Sequence, residues 1–261
     1  MFSLGSFFFH ANLKNRAEVA RRLSLLLQLP KLQHVEVWLE RGNFSENEAK
    51  WLRKQLGNLD CLVHAPQIDL SLVSTHKKIV EDSFEALKQA IRLTEILNGR
   101  VFTFHLGSRP EFVSENEALE ICASYLERLL DFAGGRLKLA IENLPYKGGA
   151  YFGYPGKLSE VEKILALLPK LYMTVDIGHC VKSNDNYQLF FQKYSKRVAD
   201  IHLHNVKQNK DHIGFNQAGE VDLLSFLNFI RKINYQGYLS FEINDEDLVK
   251  SWQIMQDYLK I

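Results

Sequence analysis

Six residues of metal-binding types stand at the polar ends of short apolar runs: His64 after Leu62-Val63, His105 after Thr103-Phe104, Glu142 after Ala140-Ile141, Asp176 after Thr174-Val175, His202 after Ile201, and Glu242 after Ser240-Phe241. Each alone has an ordinary explanation, as a hydrogen-bonded strand-end histidine or as a carboxylate that caps the next helix. Together they are three imidazoles and three carboxylates. Gathered in one apolar pocket, the carboxylates would repel one another and lose hydration unless a cation lay between them. A divalent ion supplies that charge compactly, and mixed imidazole and carboxylate donors suit Zn, Mn, Co or Fe better than Ca.

Gathering them requires a particular arrangement of elements. Apolar, β-branched or aromatic runs at 2–9, 34–40, 60–65, 100–106, 137–143, 171–177, 199–205 and 237–243 read as eight strands. Segments of helical periodicity fill the gaps at 16–28, 45–56, 75–97, 114–133, 157–168, 185–195, 221–233 and 246–260. Two of these helices open on capping boxes, Ser45-x-x-Glu48 and Ser114-x-x-Glu117. Strict alternation of strand and helix implies a parallel sheet with right-handed crossovers. Eight such units in one chain of this size predict a single (β/α)8 TIM barrel over residues 1–261. The competing open, doubly wound sheet would carry a Gly-rich turn after its first strand, where this chain has His10-Ala11-Asn12-Leu13. In a barrel, the ends of strands three to eight meet at the C-terminal mouth, where the fold builds its active sites.

Composition narrows the function classes. Of 261 residues, 46% are hydrophobic, enough for a chain of this size to hide roughly three quarters of its unfolded surface. Lys and Arg number 32 against 31 Asp and Glu, so no global charge draws the chain to nucleic acid or to an anionic membrane. Cys61, Cys122 and Cys180 are odd in number and scattered, a pattern of reduced thiols rather than a disulfide framework. The apolar N-terminus has no basic region ahead of it, and no apolar run reaches the roughly 18 residues of a membrane span. A cytoplasmic protein is expected, as a monomer or a homo-oligomer.

Other residues are less determined. His179, three residues after Asp176, should start the loop beyond strand six, within reach of the rim. His204 shares the parity of His202 and reads equally as a ligand, a supporting residue or a loop residue. Asp211 and His212 lie on the long loop after strand seven and could close over the mouth, while His10 ends strand one near the substrate. His34 and His76 read as ordinary surface residues. Glu36 and Glu40 flank Trp38 at even spacing, so Glu40 either enters the mouth or is solvated or ion-paired.

Several segments, in this order and spacing, resemble the xylose isomerase-like TIM-barrel superfamily over essentially the whole chain. They are His64-Ala65-Pro66, His105-Leu106-Gly107-Ser108, Ile141-Glu142-Asn143, Val175-Asp176-Ile177-Gly178-His179, Ile201-His202-Leu203-His204-Asn205 and Phe241-Glu242. The superfamily holds sugar and sugar-phosphate isomerases and epimerases together with the DNA-repair enzyme endonuclease IV. The resemblance implies that Glu142, Asp176, His202 and Glu242 bind one divalent ion (Zn, Mn or Co). In the isomerase and epimerase branch it further implies that Glu142 and Glu242 shuttle a proton through an enediolate whose oxygens the metal holds. His179 would contact a substrate oxygen there, and Lys207 would help to bind the substrate.

In the endonuclease IV branch, the resemblance adds His64 and His105 as ligands of a second zinc, with His179 and an Asp-x-His pair on a third. This chain departs at the last point, because Asp211 and His212 are adjacent. Phosphodiester chemistry on abasic DNA would also need clustered basic loops. The candidates Lys14, Arg16, Arg41, Arg109, Lys147, Lys207 and Lys210 are spread over five loops. The reading of the sequence is a metal-dependent isomerase or epimerase of a small sugar or sugar phosphate. An endonuclease IV-like zinc phosphodiesterase is the alternative.

Overall fold

The structure is a computed structural model that describes residues 2–8, 15–40, 44–145, 150–208 and 210–259. Eight parallel strands close into a barrel: β1 (Ser3–Phe8), β2 (His34–Trp38), β3 (Asp60–His64), β4 (Gly99–Phe104), β5 (Lys138–Glu142), β6 (Tyr172–Asp176), β7 (Val198–Leu203) and β8 (Tyr238–Phe241). Their order around the ring is β1-β8-β7-β6-β5-β4-β3-β2, so β1 closes on β8 through the register Ser3↔Tyr238 to Ser6↔Phe241.

Helices follow the strands as the periodicity predicts: α1 (Arg16–Leu27), α2 (Glu46–Leu56), α3 (Lys77–Ile96), α4 (Glu115–Ala133) and α5 (Leu158–Leu167). The set continues with α6 (Ile177–Lys182), α7 (Tyr187–Tyr194), α8 (Leu223–Lys232) and α9 (Asp245–Leu259). Both capping boxes form, with the backbone N–H of Glu48 donating to Ser45 and that of Glu117 to Ser114. None of the helices among the described residues is long and apolar enough to cross a membrane.

Alternation along each strand sorts side chains into two environments. Val35, Val37, Val63, Phe102, Ile141 and Val175 belong to the large apolar layer between strands and helices. The opposite faces fill the lumen, where Leu62, Val101, Ala140 and Ala199 form a small apolar cluster under Tyr172 and Tyr238. The remaining lumen is largely polar: Glu36, Thr103, Thr174, Asp200, His202 and Ser240 are fully buried, with Phe7 packed against His202. Between β6 and β7 the pairing passes from Met173↔Val198 to Thr174↔Asp200, so β7 carries one extra residue, Ala199, as a bulge.

Three features depart from the sequence reading. Two short antiparallel pairings crown the mouth where loops were expected, Ser108–Pro110 with the distant Tyr151–Gly153 and the hairpin of Asn205–Lys207 with Lys210–Ile213. Their strands are three or four residues long, too short to show an alternating pattern. His179 lies within the short helix α6 rather than in a loop.

His34 is the third departure, for it is no surface residue. It is fully buried at the base of the barrel, with Nδ1 3.0 Å from Ser3 Oγ and Nε2 2.9 Å from Ser240 Oγ. It begins a strand and points inward, a placement that its polar type conceals. Burial pushes its imidazole down to about 3, so the ring is neutral. Gly5 makes room for it, since a Cβ there would come within 2.3 Å of the ring. Because both ring nitrogens are held, Gly5→Ala is expected to cost about 1–3 kcal/mol through overpacking. Urea denaturation checks this, and an unchanged midpoint would show that the ring moves aside freely.

Candidate active site at the barrel mouth

The six strand-end residues meet. His64, Glu142 and Asp176 are the last residues of β3, β5 and β6, His202 is the penultimate residue of β7, and His105 and Glu242 immediately follow β4 and β8. Glu142 is the hub. Its Oε2 lies 3.2 Å from His64 Nε2 and 3.0 Å from His105 Nε2, and its Oε1 lies 3.2 Å from His202 Nδ1. Glu242 Oε2 is also 3.2 Å from His202 Nδ1, although this buried oxygen lacks hydrogen-bond geometry to any group among the described residues. Potential ligand atoms of Glu142, Asp176, His202 and Glu242 all lie within 4.8 Å of one another, and the same holds for His64, His105 and Glu142.

Local structure fixes each carboxylate. Asp176 caps α6, accepting the His179 backbone N–H at 2.6 Å through Oδ1, while Oδ2 lies 3.1 Å from His204 Nε2. Asn143, the residue after Glu142, bridges strands, accepting the Asp176 N–H at 2.9 Å and donating to the Asp176 carbonyl at 3.1 Å. Phe7 presents its ring edge to His202, with centroids 5.2 Å apart.

The charges follow from this packing. Burial pushes the Glu142 carboxyl upward, but His202 and His105 together outweigh it and hold the group well below the usual carboxylate range. Asp176 and Glu242 are likewise lowered, against their burial, by His179 and His204 and by His212 and His202 respectively. Burial pulls His202 down, yet Glu36, Glu142 and Glu242 raise it well above the ordinary value. Three ionised carboxylates are thus packed against imidazoles in a buried site.

A second group of imidazoles stands beside the first. Ligand atoms of His179, His204 and His212 lie within 4.8 Å of one another. His179 Nδ1 lies 2.8 Å from the Asn143 carbonyl, and His204 Nδ1 lies 3.2 Å from the Asn205 carbonyl and 3.1 Å from the His212 backbone nitrogen. Gly178 admits the His204 ring, which a Cβ would meet at 2.1 Å. His212 adopts φ 53°, an uncommon left-handed conformation that brings its ring toward Glu242. Its neighbour Asp211 turns away and pairs with Lys182 at 2.7 Å. His204, not Asp211, completes the group with His179 and His212.

The other candidates divide. Glu40 does not join the cluster; it lines a cleft against α3 with Phe44, Pro66 and Asp82. Lys207 is exposed on the hairpin, outside the described contacts of the cluster. Arg109 is buried and donates to the Val113 carbonyl at 2.7 Å, which removes it from the top-face basic set. His76 is exposed, as expected. His10, Lys14, Arg41 and Lys147 lie outside the described residues.

Sequence reading passed over Asp200 and Ser240 and left Glu36 undecided. Glu36 Oε2 is 3.0 Å from His202 Nε2, and Asp200 accepts from Ser240 Oγ at 2.8 Å. The signal was available in the strand period: residues two before the mouth groups face the same lumen, as Asp200 does below His202 and Ser240 below Glu242.

A closed parallel barrel with ionised carboxylates and histidines converging at its C-terminal mouth is the build of a TIM-barrel enzyme. The chain belongs to the xylose isomerase-like TIM barrel family, whose model matches residues 27–260. An uncharacterized protein of Methanocaldococcus jannaschii is 28% identical over 210 residues, covering 78% of this chain and 71% of the relative. Among solved structures, a D-tagatose 3-epimerase-like protein superposes with a TM-score of 0.83 at 23% identity, covering 99% of this chain and 97% of its own. A D-allulose 3-epimerase from Methylomonas sp. superposes with a TM-score of 0.78 at 16% identity, covering 98% of each chain. At such identities these structures establish the shared fold.

The buried Asp176–His204 pair gives the site a pH signature. Burial alone would lower the imidazole, but Asp176 outweighs it and lifts His204 to about 9. Because this folded-state value lies above the unfolded value of about 6.5, the contribution is complete below pH 6.5 and fades as pH rises through 9. Metal-free protein is therefore expected to lose stability over that window, by on the order of 3 kcal/mol from this pair. His204→Gln should flatten the profile. Thermal melts of the two proteins from pH 6 to 9.5 test it, and equally steep profiles would sink the assignment.

Proposed function

We propose that the chain is a divalent-metal-dependent isomerase or epimerase of a sugar or sugar phosphate, acting by proton transfer next to a carbonyl. The observation that carries this reading is the approach of Glu142 and Glu242 from strand ends three apart in the ring to the same atom, His202 Nδ1, each at 3.2 Å.

The residues fit a cation. Three carboxylates at most 8% exposed share the mouth, and Glu242 Oε2 is a buried acceptor with no hydrogen bond among the described residues. Glu142, Asp176, His202 and Glu242 would hold one divalent ion, while His64 and His105, which share Glu142, could hold a second. Zn, Mn or Co suits these mixed donors. A bound ion would acidify the C–H beside a substrate carbonyl and stabilise the charge that develops on its oxygen.

The chain's own groups supply the rest. Glu142 and Glu242, both held as carboxylates, act as the bases, one removing the proton and the other returning it on the opposite side. With its Nδ1 engaged by the Asn143 carbonyl, His179 leaves Nε2 to meet a substrate oxygen. A cleft of about 960 Å³ beside His105, lined by Ser71, Ser74, Ser108 and Tyr151 among others, offers hydroxyls to a polyol.

In deuterated water, the metal-loaded protein should exchange the proton next to the carbonyl of its ketose substrate, seen as loss of the proton NMR signal. Glu142→Gln and Glu242→Gln should each slow this by at least about 100-fold, the lower end of what a positioned acid or base contributes. Exchange that persists in both variants would remove the two-glutamate mechanism.

The imidazole groups His64–His105 and His179–His204–His212 favour a second reading, a zinc phosphodiesterase acting on abasic DNA. Incubation of the zinc-loaded protein with an abasic duplex separates the two. No incision and little salt-dependent binding are expected, whereas robust incision would replace the first reading with the second.

A further inference from the structure

An imidazole can ligate a metal only through a nitrogen that carries no proton, so a ligating histidine needs its other nitrogen engaged. For His202 the two nitrogens are already sorted. Nδ1 faces the mouth carboxylates, 3.2 Å from Glu142 Oε1 and from Glu242 Oε2. Nε2 points down the barrel axis to Glu36 Oε2 at 3.0 Å, both side chains being fully buried. A neutral ring that gives Nδ1 to a metal keeps its proton on Nε2, which then donates to the Glu36 oxygen.

Below Glu36 the lumen stays polar. Asp200 lies beside it, its Oδ2 3.6 Å from His202 Nε2, and takes a hydrogen bond from Ser240 Oγ at 2.8 Å. Ser240 Oγ in turn lies 2.9 Å from His34 Nε2, and His34 Nδ1 lies 3.0 Å from Ser3 Oγ at the base. A continuous column of polar side chains from β1, β2, β7 and β8 therefore runs through the lumen. Phe7 lies edge-on to the His202 ring and limits its rotation.

We propose that Glu36 is the positioning residue of this site: by accepting the Nε2 proton it fixes His202 as an Nδ1 metal ligand, with the axial column as its support. The inference rests on the metal-site reading above and assigns a role to a residue on β2, a strand that supplies none of the mouth groups.

Zinc binding tests it without any sugar substrate. In the zinc-loaded wild-type protein, long-range ¹⁵N–¹H correlation of the histidines should show His202 protonated on Nε2 and coordinated through Nδ1. Glu36→Leu, which removes the acceptor, should weaken zinc affinity by about 10- to 100-fold in chelator competition, as loss of a ligand's hydrogen-bond partner does. Glu36→Gln keeps an acceptor oxygen and should recover most of that loss, with circular dichroism confirming the fold of both. Coordination through Nε2, or wild-type zinc affinity in Glu36→Leu, would overturn the inference and leave the metal reading intact. Failure of the wild-type protein to bind zinc would overturn both.

Discussion

Everything at the mouth depends on one constraint: Glu142, Asp176 and Glu242 are charged, mutually close and almost without water. Ionised carboxylates in a low-dielectric site repel strongly and bear a desolvation cost that only positive charge or donated hydrogen bonds can offset. The surrounding architecture reads as the set of answers to that cost. His64, His105 and His202 converge on Glu142, His204 and the first turn of α6 on Asp176, and His202 and His212 approach Glu242. Even the left-handed backbone at His212 has a place here, since it turns the hairpin's imidazole toward Glu242.

A second consequence runs down the barrel. Lumens of this fold are usually packed with Val, Ile and Leu in layers. Here the apolar cluster is small, and a polar column occupies the sector formed by β1, β2, β7 and β8. Two carboxyl groups lie in that column, and they divide the load. Burial and the neighbouring Glu36 push Asp200 well above its ordinary range, whereas His202 overcomes burial to hold Glu36 below its own. The two neighbours thus differ in proton affinity, so they need not both carry charge. Such a network is costly when incomplete and specific when satisfied.

The strands and helices could be read from the sequence because each obeys a single local period. Position at the polar C-terminal ends of the strands marked His64, Glu142, Asp176 and His202, since those ends meet at the mouth once the barrel closes. His34, Glu36 and Asp200 escaped for the opposite reason. They are polar residues at positions where burial is set by barrel closure, a contact between β1 and β8 that no window of sequence contains. The same holds for His212 and Asp211, whose opposite directions are decided by a three-residue hairpin and by Lys182 on another element. Glu40 and Arg109 looked like mouth residues by distance along the chain, yet packing against α3 and the carbonyl of Val113 claimed them.

The extra residue in β7 has a consequence for what the strand can present. Val198 faces the helices with Met173, and Asp200 faces the lumen with Thr174, two neighbours of equal parity that a regular strand would turn the same way. Ala199 breaks the count, and the Ile201 N–H beside it is taken up by Asp200 Oδ1 at 2.7 Å. The base of the strand is thereby free to follow the packing of the outer layer, while its upper half keeps the phase that His202 needs. A β7 one residue shorter would face a choice between a greasy foot turned into the lumen and an imidazole turned out among the helices. The bulge works as a phase corrector, letting one strand serve two surfaces whose demands are out of step.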